Sequence, residues 1–481
     1  MKAIKKLFSS ENKYGYLAKN SLLFTISSFG SKLLAFFLVP LYTHILSTSD
    51  YGIVDIVTTT AGLLGFLVTI NIGDAVLRFT LDNGSDKEGI FRYGLITITK
   101  GGAILSSVVL LCYLLKIIKW PDYCYIFLVL VLMSSAYNTL FQDYLRGVDK
   151  IKQVAISGMV SSFISITANI FFLVVLNTGI IGCLISAVLG QAVSTVYCVF
   201  QCGNINKIIQ GENCADHVKR EMIKYSLPLV FNGIAWWVNA SLDKYFIVGL
   251  YGTDVNGIYA IASKIPTILT TITGIFAEAW TLSAVREFNK EGGPAFFSKL
   301  FNLYNTLLVI ICSLLILFNV PFARILFAKD FFEAWSYSSI LLVSVVFNSL
   351  AAFVGGVFSA VKDSRIFAIS TITAALVNAV LNAILIPLYG ALGAAIATAC
   401  SFFTIFIIRF INSRKYISWS VNILKTISIY AILIVQVILE HLNGHMYLGQ
   451  LICVLSIFIL TGKDIIGVFR IIKRKVVRNN E

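Results

Sequence analysis

Charged residues are scarce in this chain, and their scarcity excludes an ordinary soluble protein. Lysine, arginine, aspartate and glutamate together make up 13% of the 481 residues, against about a quarter of a typical soluble domain. Apolar side chains fill the chain instead, at 58%, and the mean hydropathy is +0.85. Because a spanning helix needs roughly 20 apolar residues, the chain is predicted to cross a membrane about a dozen times or more.

Motifs for metal, redox and nucleotide chemistry are missing as well. The nine cysteines are dispersed with no CxxC pair, which favours small buried residues over disulfides or a metal site. His441 and His445 are four residues apart but have no third ligand nearby. No GxxxxGK motif followed by Ser or Thr is present, so an ATP motor is not indicated. We therefore predict no cofactor and no metal.

Hydropathy predicts an all-α membrane protein with about fourteen transmembrane helices. The predicted spans are residues 19–42, 51–73, 91–115, 123–145, 154–176, 179–200, 224–250, 256–281, 298–319, 334–360, 366–387, 390–411, 422–440 and 446–462. Residues 1–18 lack a cleavable apolar core and are interpreted as a cytoplasmic segment. The longest connections, 201–223 and 282–297, are too short to hold a folded domain.

The basic residues indicate how the spans are oriented. With the N-terminus inside, 29 of the 38 lysines and arginines fall in inner segments, and the outer loops hold four: Lys116, Lys119, Arg324 and Lys329. Inner loops of membrane proteins carry the excess of positive charge, so both termini are predicted to be cytoplasmic. The net charge of +14 thus sets topology and does not indicate nucleic acid. The basic tail 463–481 either contacts anionic headgroups or acts as a plain stop signal.

The two halves of the chain resemble each other, residues 19–200 matching residues 224–411 at an offset of about 205. Matched positions include Gly52 with Gly257, Asn169 with Asn382, Gly179 with Gly390, and Gly182 with Gly393. Since six spans per repeat leave both halves in the same orientation, the prediction is two six-helix bundles with pseudo-two-fold symmetry and a cavity between them. The linker 201–223 joins them, and the two helices of residues 422–462 stand outside the repeat.

Polar residues recur on one face of three predicted spans. They are Asn232, Trp236, Asn239 and Asp243 in span 7, Lys264, Thr267, Thr271 and Glu278 in span 8, and Ser21, Thr25, Ser28 and Lys32 in span 1. A charge at membrane depth costs about 3 kcal/mol unless it faces protein or water. The stripes therefore predict a shared wet cavity. Hydrogen bonds between helices would also account for the hydroxyls, and a buried ion pair for the charges.

The cations of this predicted cavity suggest an anionic ligand. Lys32 and Lys264, with Arg78 at one mouth, suit a phosphate or diphosphate. Pro266 removes a backbone donor just after Lys264 and predicts a kinked helix there. Asp243 and Glu278 could titrate and couple transport to protons. Arg78, one turn after Asp74, is equally well explained as a topological anchor or a headgroup contact, and Lys100 and Lys425 are expected to snorkel.

Several motifs of the chain resemble those of polysaccharide repeat-unit flippases, the Wzx-type exporters of O-antigen and capsule. They belong to the multidrug/oligosaccharidyl-lipid/polysaccharide exporter superfamily. The motif residues are Leu242 to Gly249, Gly252-Thr253, Asn256 to Tyr259, Ala262 and Lys264 in spans 7 and 8, and Gly30 to Lys32, Pro40 to Tyr42, Asp50 to Ile53 and Arg78-Phe79 in spans 1 and 2. The resemblance covers the whole chain, including the count of twelve plus two helices.

This resemblance implies a non-enzymatic function in the bacterial inner membrane. It implies two six-helix bundles in a V around a cationic lumen, and flipping of undecaprenyl-diphosphate-linked oligosaccharide from the cytoplasmic to the outer leaflet, driven by protons or another cation. Membrane lipids, a polymerase and a chain-length regulator are the implied partners. Lys32, Arg78 and Lys264 match cavity or mouth cations of the family. Spans 9–12 depart from it, since they offer polar residues such as Asn348 and Asn378 where some relatives carry cations.

Other functions fit the same architecture. A drug or cation antiporter would want an acidic, aromatic cavity, whereas the predicted one is basic. A flippase for the peptidoglycan lipid precursor would share the helices and the cationic lumen. A polysaccharide polymerase or ligase would need a long outer loop with catalytic residues, and the predicted outer loops are short.

Overall fold

The described part of the protein consists of helices joined by short connections. The structure is a computed structural model, and it describes residues 36–82, 84–117, 120–203, 208, 210–212, 214–288, 293–361, 363–442 and 446–478. These residues contain no β-strand. The predicted all-α fold is thereby confirmed.

Sixteen α-helices are named here in chain order among the described residues. They are α1 Val39–Ile45, α2 Thr48–Thr69, α3 Ile72–Thr80, α4 Lys87–Leu114, α5 Asp122–Gly147, α6 Ile151–Ile170, α7 Gly179–Cys202, α8 Asp216–Ala262, α9 Lys264–Glu287, α10 Gly293–Leu317, α11 Asn319–Leu326, α12 Trp335–Val361, α13 Ser364–Tyr389, α14 Ala391–Ser413, α15 Ile423–His441 and α16 Tyr447–Arg478. A π-helical turn, Phe171–Val175, extends α6, and a 3-10 segment, Lys329–Ala334, precedes α12.

The helix ends follow local sequence signals. At the start of α2, the Ser47 hydroxyl accepts from the Asp50 amide and the Asp50 carboxylate accepts from the Ser47 amide, at 3.1 and 3.2 Å. This reciprocal capping box satisfies two amides that the helix leaves without partners. Gly179 and Gly390, which the predicted repeat aligns, stand at the starts of α7 and α14 with φ of +58° and +59°. Glycine tolerates a positive φ, which other residues rarely adopt, so both positions favour glycine.

Ten of the described helices are long and apolar enough to span a bilayer, and the bent pair formed by α8 and α9 adds an eleventh candidate. A shorter apolar helix, Tyr447–Gly462, covers predicted span 14. Large apolar side chains remain exposed all along these helices, for example Phe200, Leu424 and Ile459 at 76–80%. A soluble monomer does not expose so much apolar surface, whereas lipid solvates it. The chain is a multi-pass membrane protein.

The boundary between predicted spans 7 and 8 differs from the sequence interpretation. A loop was expected at 251–255, but α8 continues through it with one non-helical residue, Gly252, at φ +87°. The next break comes at Ser263, where the two helices bend by 40°. Predicted span 1 lies largely outside the described residues.

The described part divides into two compact units that meet in the chain between Trp237 and Val238, within α8. In unit 1, ring stacking contributes to the core, with Phe91 and Tyr144 centroids 4.2 Å apart. In unit 2, Trp280 stacks on Phe353 at 4.2 Å, and its indole N–H donates to the Phe353 carbonyl at 2.7 Å. Because lipid tails are as apolar as these rings, shape complementarity and such hydrogen bonds stabilise the bundle more than water exclusion does.

The close approach of α2 and α4 makes a stability prediction. A methyl group on Gly101 would overlap the Val68 carbonyl oxygen, whereas a methyl group on Gly65 would meet no atom within 4 Å. We expect Gly101→Ala to lower the free energy of unfolding by about 1–3 kcal/mol, because the backbones must move apart. The control Gly65→Ala should be neutral or slightly stabilising. Thermal unfolding in detergent would measure both, and equal melting temperatures would contradict the predicted contact.

Candidate functional site

Asp243 is a buried carboxylate at the centre of a polar cluster in unit 2. It lies on α8, is 3% exposed, and accepts the Tyr259 hydroxyl at 2.6 Å and the Thr398 hydroxyl at 3.2 Å. The Lys244 amide donates to its other oxygen at 2.9 Å. The cluster therefore stabilises a carboxylate by neutral donors from α8 and α14, which suits a group that binds and releases a cation.

Asn239, one turn before Asp243, is also fully buried within unit 2. Its amide donates to the Thr371 carbonyl of α13 at 3.2 Å, and its oxygen accepts the Ser401 hydroxyl of α14 at 2.5 Å. Asn239 and Asp243 thus share a helical face, as their spacing predicted, and in this conformation that face packs against two neighbouring helices. The sequence analysis gave hydrogen bonds between helices as the alternative to a wet cavity, and Asn239 makes such bonds.

Arg409 extends the polar interior of unit 2, although the sequence interpretation counted it among the inner-segment charges. Its guanidinium is in a side chain only 2% exposed, and it donates to the Ser370 hydroxyl at 3.0 Å and the Ala351 carbonyl at 3.1 Å. It also lies 4.5 Å from the Phe367 ring centroid. In the described part of the chain, no carboxylate lies within ion-pair distance of it. Hydrogen bonds and a cation–π contact therefore compensate a buried charge.

Lys264 is the first residue of α9, immediately after the bend at Ser263, and is half-buried. The predicted kink near Pro266 is confirmed, because the 40° bend occurs there and the proline occupies the first turn, where its missing amide costs little. Thr267 and Thr271 donate to carbonyls of their own chain at 2.9 and 2.7 Å. Their hydroxyls therefore have hydrogen-bond acceptors one turn earlier in the chain and do not require a water-filled cavity.

Two predicted site residues cannot be placed. Lys32 lies outside the described residues, and the Glu278 side chain lies outside the described side chains. Asn232 and Trp236 belong to unit 1, the first exposed and the second half-buried. The predicted stripe of α8 is therefore divided between the two units.

Arg78 lies on the short helix α3 and is exposed. It pairs with Asp82 at 2.5 Å, one turn later, and this bond raises the pKa of the guanidinium. Asp74, one turn before Arg78, accepts from the Asn71 side chain at 2.6 Å. Since an exposed ion pair contributes little to stability, Arg78 can exchange Asp82 for another anion at small cost.

Unit 1 contains a cavity of about 380 Å³ whose ionisable lining is acidic. Its polar lining residues are Thr58, Thr69, Asn71, Asp74, Ser135, Thr139 and Asp143. Asp143 is 5% exposed, and one of its oxygens accepts from Arg146 at 3.3 Å. The pair is absent from the predicted site, although an acid inside predicted span 123–145, three residues before an arginine at its end, was a visible signal.

Metal and disulfide chemistry find no support in the described residues. No group of three or more histidine, cysteine, aspartate or glutamate side chains there is arranged to hold a metal ion. All nine cysteines are described, and each is a free thiol. Lys425, expected to snorkel, instead pairs with Asp464 of α16, which also accepts the Thr306 hydroxyl at 3.0 Å.

Relatives of the chain are membrane proteins. An uncharacterized membrane protein of Methanocaldococcus jannaschii is 21% identical over 412 residues, which is 82% of this chain and 96% of that protein. The structure of the lipid II flippase MurJ in an inward closed conformation superposes with a TM-score of 0.67 at 15% identity, covering 95% of this chain and 100% of the other. An inward-facing multidrug resistance MATE family transporter of the MOP superfamily gives 0.64 at 13% identity, covering 85% and 96%.

These structural likenesses establish the fold that the chain shares with MurJ and MATE transporters. The family described as polysaccharide biosynthesis protein matches residues 17–281, more than half of the chain. That match includes the motif residues of predicted spans 1, 2, 7 and 8. The chain belongs to the polysaccharide biosynthesis protein family.

Proposed function

We propose that this protein flips undecaprenyl-diphosphate-linked oligosaccharide repeat units from the cytoplasmic to the outer leaflet of the bacterial inner membrane. The product would supply O-antigen or capsule synthesis, with a polymerase and a chain-length regulator as partners. The membership in a polysaccharide biosynthesis family carries the proposal. The fold shared with a lipid II flippase adds to it, because such a fold is compatible with a lipid-linked substrate.

The proposed architecture is the one that the sequence predicts. It has fourteen spanning helices, arranged as two six-helix bundles and two further helices, with both termini in the cytoplasm. Transport by alternating access would expose the substrate site to each leaflet in turn. Such a cycle moves the diphosphate through a protein-lined path, so its charge never enters the hydrocarbon.

In this proposal the diphosphate is bound by Lys32 and Lys264, and Arg78 attracts it at the cytoplasmic mouth. The position of Lys264 supports this assignment, because the residue is half-buried and starts a helix at a bend. Asn232, Trp236 and Asn239 would contact the sugars as the helices rearrange, since amides and an indole are the usual partners of hydroxyl groups.

Asp243 and Glu278 are proposed to couple transport to a proton or another cation. Asp243 supports this because its carboxylate is buried among hydroxyl donors, whose orientation can adapt to either charge state. A protonated Asp243 would donate to one of these oxygens, and an ionised one accepts from all of them.

A drug or cation antiporter remains the second candidate. The acidic cavity of unit 1, with Asp74 and Asp143, is what an organic cation would require, and the MATE fold is compatible with it. A flippase for the peptidoglycan precursor is the third, favoured by the fold shared with MurJ. The three differ in cargo, so a transport assay separates them.

Purified protein in proteoliposomes should translocate the undecaprenyl-diphosphate oligosaccharide of its own cell, with accessibility to an outside glycosidase as the readout. We expect no ethidium transport and a slower rate with lipid II. Ethidium transport lost in both Asp74→Asn and Asp143→Asn would replace the proposal with the antiporter. A preference for lipid II would replace it with the peptidoglycan function.

Replacing Lys264 by alanine tests the cationic site. Surface polysaccharide should fall by about tenfold or more, because a charge-assisted bond to phosphate contributes about 1.5–3 kcal/mol. The amount of protein in the membrane should stay unchanged. The matched control is Lys100→Ala, which removes an exposed lysine of α4. Wild-type polymer in the Lys264 variant would refute its assignment.

Replacing Asp243 separates coupling from folding. Asp243→Asn keeps an acceptor for the hydroxyls of Tyr259 and Thr398 and loses the bond from the Lys244 amide, so the melting temperature should fall less than in Asp243→Ala while ion-driven transport is lost. Asp243→Ala leaves those hydroxyls without the carboxylate and should cost about 1–3 kcal/mol of stability as well. Full transport by the asparagine variant would show that the carboxylate is structural.

A further inference from the structure

Unit 2 contains a second cavity, of about 830 Å³, that none of the residues proposed to bind the substrate lines. It lies between α14 and α15, with α10 and α12 behind it. Its lining residues are Phe301, Phe347, Phe403, Phe406, Ile407, Phe410, Ile411, Arg414, Ile417, Ser418, Trp419, Val421, Ile423, Thr426, Ile427, Tyr430, Ala431 and Ile434. A volume of this size is in the range of ligand-binding pockets.

The walls of the cavity face the lipid. On α15, Ile423, Ile427 and Ile434 are 54–60% exposed, and on α14 Ile411 is 56% exposed. Residues that line a cavity and are also exposed mark its opening. Because both helices are membrane-spanning candidates, the cavity opens sideways into the bilayer.

The floor of the cavity is aromatic. Phe301, Phe347 and Phe406 are 1–8% exposed, and Phe301 and Phe406 stack with centroids 6.4 Å apart. The hydroxyl of Tyr430 donates to Asn305 at 2.7 Å, so its hydrogen already has an acceptor. The floor therefore offers ring faces and edges, which favour a hydrocarbon chain over a polar ligand.

The mouth of the cavity is cationic. Arg414 is exposed, its guanidinium carbon lies 5.6 Å from the Phe410 ring centroid, and Lys415 is its neighbour in the chain. Across the described ranges, no carboxylate lies within ion-pair distance of Arg414. Trp419 lies at the same mouth, its indole donating to Ser413 at 2.8 Å. A tryptophan beside basic residues is typical of the membrane–water interface.

We propose that this cavity binds one acyl chain of an anionic bilayer phospholipid, whose phosphate rests on Arg414. The apolar floor takes the chain, the open side admits it from the bilayer, and the cationic mouth selects a negatively charged headgroup. The site is additional to that of the transported lipid. Under the orientation of the proposed function, Arg414 lies on the cytoplasmic side, and the bound phospholipid therefore belongs to the cytoplasmic leaflet.

The test uses the full chain in nanodiscs with a phosphatidylglycerol probe that carries a photoreactive group in its acyl chain. Peptides containing residues 403–411 and 423–434 should be labelled. Arg414→Ala should lower that labelling by about fivefold, because one basic residue near an anionic surface raises the binding affinity by about that factor. Arg324→Ala, which removes another exposed arginine of unit 2, should leave it unchanged.

Filling the cavity provides a second variant that does not depend on charge. Ala431→Trp places an indole inside it and should abolish labelling of the two peptides, whereas Ile438→Trp, on an exposed position of α15 outside the lining, should not. Unchanged labelling in Ala431→Trp would overturn the proposal. So would equal labelling by a phosphatidylcholine probe, or displacement of the probe by undecaprenyl phosphate at lower concentration than by phosphatidylglycerol. Substrate transport is measured separately, so failure here leaves the proposed function intact.

Discussion

The bilayer imposes one requirement on this protein: every polar group at membrane depth must find a partner inside the chain or in a wet cavity. Unit 2 meets it with hydroxyls and backbone carbonyls. Asp243 accepts from Tyr259 and Thr398, and Arg409 donates to Ser370 and Ala351. Neutral partners leave these charges less firmly fixed than a direct ion pair would, because a hydroxyl can rotate from donor to acceptor. A transporter needs that property wherever a charge must change or move.

The two units meet the same requirement differently. Unit 1 has a cavity lined by acids, in which Asp143 pairs with Arg146, whereas unit 2 closes its polar groups within the helix packing. The large cavity of unit 2 is apolar and opens to the lipid. The two units thus differ in polarity, although a glycine with positive φ stands at the start of α7 in one and of α14 in the other, at Gly179 and Gly390. A backbone position with positive φ strongly favours glycine, whereas an interior position accepts side chains of different polarity.

The sequence was sufficient for properties that depend on composition and period. Scarce charge predicted the membrane class, and the spacing of Asn239 and Asp243 predicted their common face. The sequence was insufficient for contacts that depend on the direction in which a side chain points. Arg409 is predicted to be a charge of an inner segment, because hydropathy indicates how deep a residue lies in the membrane but not whether its side chain points into the protein. The pairing of Lys425 with Asp464 joins residues 39 positions apart on the consecutive helices α15 and α16, a separation that no helical pattern reveals.

The short segment between Gly252 and Ser263 has a mechanical consequence. It is bounded by a glycine at φ +87° on one side and a 40° bend on the other, so the chain departs from a straight helix at both of its ends. The Tyr259 hydroxyl ties this piece to the carboxylate of Asp243. Lys264 follows directly beyond its far end. At the far end the Ser338 hydroxyl donates to the Ala262 carbonyl, so a change of charge at Asp243 would alter one of the hydrogen bonds that set the position of Lys264.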